Sequence, residues 1–148
     1  PPTNLLNALP DGLPMLPTEG LPQVFARHER HARATRLAVA GWGLELLSLD
    51  AAAHSPALTA VLMPDGYSAD ALRKVILDRF DMSLGQGLGK LSDRIFRIGH
   101  LGHFNDLTLC GTLAGVEMGL AAAGVPHRSG GLQAAMEYLT RAPERVAG

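Results

Sequence analysis

Residues 82–105 read MSLGQGLGKLSDRIFRIGHLGHFN, and the reading of this stretch decides the fold. Gly85, Gly87 and Gly89 alternate with larger residues. Having no side chains to pack, these glycines mark either backbone brought close to something or a bend. After Ser92 and Asp93 the pattern becomes Arg94-Ile95-Phe96-Arg97-Ile98-Gly99. Alternation across a strand puts Ile95, Arg97 and Gly99 on one face and Arg94, Phe96 and Ile98 on the other. A guanidinium is thereby set between an isoleucine and a glycine on a partly buried face, where a cation needs an anion. Residue types alone leave two partners open: a carboxylate of the same domain, or a bound ligand. The glycines do not form a phosphate loop of the Walker type, because Leu84 stands where its first glycine belongs and Leu91 where it needs Ser or Thr.

Outward from this stretch the grammar is strand, strand, helix, strand. Residues 44–48 and 57–63 read as strands, joined by a polar connection that contains His54. Pro64-Asp65-Gly66 is a turn signal, after which Ser68 caps a helix through Ala71, Leu72, Val75, Ile76 and Phe80. Downstream, Asn105 is an N-cap for a helix over 107–123 that carries a bare ridge of Gly111, Gly115 and Gly119. A last helix is expected to begin near Ser129 and to cover Leu132, Ala135, Met136 and Leu139. Ahead of the strands, residues 21–42 are helical in period, with Leu21, His28, Thr35 and Trp42 in one series and Phe25, Ala32 and Val39 in the next. Arg27, Arg30 and Arg33 fall mostly off this stripe and read as a solvated face. In residues 1–20, Pro10, Pro14 and Pro17 are expected to break any helix. The organisation predicted is a proline-rich linker or arm over 1–20, one domain over 21–142 and a tail over 143–148. The fold class is α+β, with a mostly antiparallel sheet covered by helices.

Composition narrows the function. A chain of 148 residues with 47% apolar and 18% charged residues fits one globular domain. A formal charge of −1 gives no general reason to expect nucleic acid or an anionic membrane. Cys110 is the sole cysteine, so no internal disulfide forms, in keeping with a reducing compartment. Glu117 interrupts the glycine-ridge segment, and no uninterrupted apolar run is long enough to span a bilayer. The chain therefore reads as soluble and cytoplasmic. His28/His31 and His100/His103 have i, i+3 spacing, but no further ligand is placed to complete a metal shell. Nor is there a nucleophile elbow or a nucleotide fingerprint.

The run LGQGLGKLSDRIFRIGHLGHFNDLTLCGTLAGVEMGLAAAGVPH closely resembles the C-terminal region of serine–glyoxylate aminotransferases, in the alanine–glyoxylate and serine–pyruvate group of class V pyridoxal-phosphate enzymes. The likeness extends back through TAVLMPDGYSADALRKVIL and FARHERHARATRLAVAGWGLEL to PTNLL. What it implies is the small C-terminal domain of a fold-type-I transferase. The parent would use pyridoxal phosphate to move an amino group from serine or alanine to glyoxylate or pyruvate, as a homodimer whose large domain lies upstream. Arg97 aligns with the arginine that holds the substrate α-carboxylate, and Gly85, Gln86 and Gly87 with part of the substrate entrance. The resemblance places the cofactor-bonding lysine and the remaining cofactor contacts in the large domain. Lys74 and Lys90 do not match that lysine, so the chain is expected to hold no catalytic or cofactor-binding residue and to be inactive alone. Three departures stand out: His103 replaces the usual aspartate, Gln86 replaces a small residue or threonine, and the prolines fall where the family has a helix. The competing expectation is a truncated, non-catalytic module retained for carboxylate binding or for dimerisation through the glycine ridge.

Overall fold

The computed structural model describes residues 9, 10 and 13–141. The helices are α1 (Met15–Glu19), α2 (Leu21–Trp42), α3 (Ala69–Phe80), α4 (Asp106–Ala122) and α5 (Gly131–Leu139). The strands are β1 (Glu45–Leu46), β2 (Leu58–Leu62), β3 (Gly85–Gln86) and β4 (Ile95–Gly99). All pairings are antiparallel, in the order β1-β2-β4-β3, and the α+β expectation holds. The edge strand β1 is shorter than its sequence suggested, since of the 44–48 segment only Glu45–Leu46 forms a ladder. The glycine stretch, read from sequence as a close approach or a bend, adds a fourth strand, β3.

Helix boundaries follow local chemistry. The Ser68 hydroxyl accepts the Ala71 N–H at 2.9 Å, and Asn105 Oδ1 accepts the Thr108 N–H at 2.8 Å, each satisfying a donor that the first helical turn leaves over. Gly43 ends α2 at φ +75°, a left-handed value that suits glycine. The proline-rich start departs from expectation, since residues 15–19 are helical. Pro14 is the N-cap and Pro17 lies in the first turn, where a missing N–H removes no intrahelical bond.

The helices cover one face of the sheet. Val61, Phe96 and Ile98 are fully buried with Val39 and Trp42 of α2, Leu72 and Ile76 of α3, Leu109, Leu113, Val116 and Leu120 of α4, and Ala135 of α5. Within the predicted α2 stripe His28, Thr35, Trp42, Ala32 and Val39 are buried, but Leu21 and Phe25 are 51% and 66% exposed. The stripe turns inward from His28, which the loop at Gly102 covers, onward. Crossing of α2 and α5 brings backbone against backbone: a Cβ on Gly131 would lie 2.5 Å from the Ala38 carbonyl, and one on Gly41 2.8 Å from Gly131 Cα. Glu117 of α4 closes this junction, accepting Trp42 Nε1–H at 2.7 Å, Gly130 N–H at 3.1 Å and Leu132 N–H at 2.8 Å. The glycine ridge is filled from within the domain. Gly119 faces Ile76, Gly115 faces Met82, and Gly111 alone has nothing within 4 Å of an added Cβ.

Candidate functional site

Arg97 sits at the centre of β4, paired across the ladder with Ala60 of β2 and Gly85 of β3. Because side chains alternate, it projects from the face opposite the helices, beside Ile95 and Gly99. Leu58, Ala60 and Leu62 of β2 share that face through their pairing with Gly99, Arg97 and Ile95. Leu58 and Gly99 are exposed, Ala60, Leu62 and Arg97 are half-buried, and Ile95 is buried. The result is an open, largely apolar floor with a single guanidinium in it. Arg97 Nε is buried without a hydrogen-bond partner, and no ion pair to Arg97 forms among the described residues. Between the two partners that the sequence left open, no carboxylate among the described residues fills the role.

The three glycines have separate reasons. Gly85 lies directly against Arg97, where an added Cβ would come within 3.1 Å of Nε. At Gly87 a Cβ would be 2.0 Å from the Leu91 carbonyl oxygen, so the backbone of the short 3₁₀ turn Gly89–Leu91 occupies the space. Gly89 has φ +55°. Of the residues expected at a substrate entrance, Gly85 lies against Arg97 itself, while Gly87, directed to the same side, lies against Ile95 next to it, 3.0 Å from an added Cβ. Gln86 pairs with Phe96, so it belongs to the opposite face and is exposed at the sheet edge, and Gly87 is buried.

The strand that carries Arg97 leaves into a loop held by polar groups. His100 is fully buried: its Nδ1–H donates to the Pro56 carbonyl at 3.1 Å, which obliges Nε2 to accept the Thr59 hydroxyl at 3.0 Å. Burial lowers its pKa to about 4, so it is a neutral structural strut. His28 accepts the Gly102 N–H at 3.0 Å and donates to the Val24 carbonyl at 2.7 Å. Arg27 bonds the Gly102 and Phe104 carbonyls at 2.8 and 3.1 Å and pairs with Glu19. Arg30 takes the Asp106 carboxylate with both arms, at 2.6 and 2.9 Å, and also bonds the Leu139 carbonyl. Arg33 stacks on Tyr138. Arg27 and Arg30 are therefore not a solvated face, whereas Arg33 is exposed as expected. Apart from Glu19, the partners of Arg27 and Arg30 lie more than 70 residues away, beyond what local periodicity registers. His31 Nε2 completes the set at 2.9 Å from Asp106. Burial lowers its pKa, with the Asp106 carboxylate opposing that shift.

A cofactor site does not fit the residues present. Pyridoxal phosphate needs a lysine in an enclosed pocket, but Lys74 is solvent-exposed and paired with Asp78 at 2.7 Å, and Lys90 is exposed in the 3₁₀ turn. The cleft lined by Arg36, Leu47, His54 and Leu58 has neither a lysine nor Arg97 in its wall. Among the described residues no three His, Cys, Asp or Glu side chains gather as a metal site, and no helix is long and apolar enough to cross a membrane.

No family model matches the chain. The serine–glyoxylate aminotransferase of Hyphomicrobium methylovorum is 40% identical over 142 residues, which are 95% of this chain and 35% of that protein. The L-aspartate–glyoxylate aminotransferase of Paracoccus denitrificans is 38% identical over 139 residues, 93% of this chain and 35% of that one. Among solved structures, the ureidoglycine–glyoxylate aminotransferase of Bacillus subtilis superimposes with a TM-score of 0.83 at 30% identity, over 89% of this chain and 34% of that one. The chain spans about a third of the length of the curated relatives it matches.

Proposed function

The chain matches the C-terminal part of serine–glyoxylate aminotransferases, and we propose that it is the carboxylate-binding domain of an aminotransferase, with Arg97 as the group that grips the substrate. The observation that carries this reading is the unpartnered, buried Nε of Arg97 on a sheet face that no described helix covers. A planar guanidinium offers a carboxylate two parallel N–H bonds and so fixes its orientation as well as its position. Amino donor and keto acceptor both carry a carboxylate next to the reacting carbon, so one arginine serves both in turn. The named relatives differ in donor but share glyoxylate, which favours glyoxylate as the acceptor. Transfer of the amino group itself we assign to a neighbouring cofactor-binding domain, in keeping with relatives about three times as long. A cytoplasmic homodimer belongs to the same reading on the strength of the resemblance. Dimerisation through the glycine ridge does not, because Gly115 and Gly119 are buried against Met82 and Ile76.

The test is a titration of the ¹⁵N-labelled chain with glyoxylate, following arginine Nε–H signals by NMR, with glycolaldehyde as the control that lacks the carboxylate. A saturable shift of the Arg97 signal with glyoxylate alone is expected. An unmoved Arg97 signal, or equal shifts at exposed Arg79 and Arg94, would overturn the assignment.

A further inference from the structure

The pairing of Gly85 with Arg97 is closer than a sheet normally allows. Residues opposite each other on antiparallel strands keep their Cβ atoms about 4.5–5.5 Å apart. A Cβ built on Gly85 would lie 3.0 Å from Arg97 Cβ, 3.1 Å from Arg97 Nε and 3.5 Å from the Arg97 carbonyl oxygen. The volume where a side chain at position 85 would begin is therefore occupied by the stem and Nε of the arginine. Steric exclusion, rather than backbone conformation, makes the position special, because Gly85 is not among the glycines with positive φ. The arginine's other cross-strand neighbour is Ala60, with only a methyl group. Arg97 lacks a polar anchor among the described residues, so its direction is set by packing against these two neighbours.

We propose that Gly85 is a positioning residue for the carboxylate-binding guanidinium: its missing side chain lets the Arg97 stem lie across the β3 backbone and aims the fork at the open sheet face. The proposal rests on the reading of Arg97 as the carboxylate ligand. It predicts that even a methyl group at position 85 pushes the arginine into another rotamer. Gln86, the next residue on the same edge strand, faces away and has no part in the aim.

The same labelled chain tests it. In the wild type the Arg97 Nε–H should exchange with water more slowly than that of exposed Arg79. Gly85→Ala should bring the Arg97 exchange rate up to that of Arg79 and weaken glyoxylate binding by about tenfold, the scale of an off-rotamer side chain. Ser83→Ala, at an exposed position two residues ahead of Gly85, should leave both readouts at wild-type values. Wild-type binding and unchanged exchange in Gly85→Ala would overturn the proposal while leaving Arg97 as the ligand. If glyoxylate does not move Arg97 at all, the functional reading falls, and the exchange comparison still decides whether Gly85 aims the side chain. Should Gly85→Ala fail to fold, fast exchange of Arg97 Nε–H in the wild type would by itself overturn the proposal.

Discussion

Arg97 and His100 stand three residues apart, and burial has a different consequence for each. Arg97 keeps a buried Nε with no partner, a state that is costly unless a ligand completes it. His100 finds a partner for each ring nitrogen and stays neutral. Its folded pKa, lowered by burial to about 4, lies below the ordinary value of 6.5. Between those values the unfolded chain binds a proton that the folded chain does not, so stability should fall as pH drops through this window, by up to roughly 3 kcal/mol. Urea titrations from pH 7 to pH 4 should show the decline, and His100→Asn should flatten it. Glu117 adds a second component. Burial raises its pKa, but the hydrogen bonds from Leu132 N–H, Trp42 and Gly130 N–H together outweigh that and hold it below the ordinary 4.5. Its contribution is therefore full above about pH 4.5 and is lost as pH falls through the lowered value. Glu117→Gln should destabilise the chain by about 1–3 kcal/mol near neutral pH, because an amide returns repulsive N–H groups to backbone donors. The same urea titrations measure it.

At the scale of elements, the glycines divide into those the fold requires and one it does not. Gly87→Ala places a methyl group on the Leu91 carbonyl, which is backbone and has little freedom to retreat; a loss of about 2–4 kcal/mol is expected in thermal or urea unfolding. Gly119→Ala should cost about 1–3 kcal/mol by driving into Ile76. Gly111→Ala meets nothing within 4 Å and should stabilise α4 by about 0.5–1 kcal/mol through helix propensity. Sequence alone presents Gly111, Gly115 and Gly119 as one equivalent ridge. What separates them is the course of α3 and of Met82 across α4, a long-range matter. In the same way β4 was legible because its alternation survives in isolation, whereas the short edge strands were not, since their length depends on how far each neighbour stays in register.

At the scale of the whole molecule, one sheet face is buried by helices and the other holds half-buried Arg97, an arrangement suited to closing a site against another domain. Placed in the Hyphomicrobium methylovorum serine–glyoxylate aminotransferase in exchange for its matching C-terminal part, this chain should support transamination. In that chimera Arg97→Ala should raise KM for serine and for glyoxylate by roughly thirtyfold each, about 2 kcal/mol for a charged hydrogen-bonded pair. Steady-state kinetics with each substrate varied in turn would check it, and unchanged values for both would exclude the role.

What the sequence determined by itself was whatever repeats locally. The period of α2, the caps at Ser68 and Asn105, the two-faced strand through Arg97 and the kinship to aminotransferases all rest on residues near one another in the chain. Tertiary structure decided the rest. It turned Arg27 and Arg30 from a solvated face into ties across the molecule, and Glu117 from an interruption of an apolar run into the cap of α5. It also left Arg97 without an internal carboxylate while laying it over Gly85. The physical reason is the same in each case: an ion pair, a cap or a steric gap is a relation between atoms far apart in sequence, and it takes effect only after the chain has brought them together.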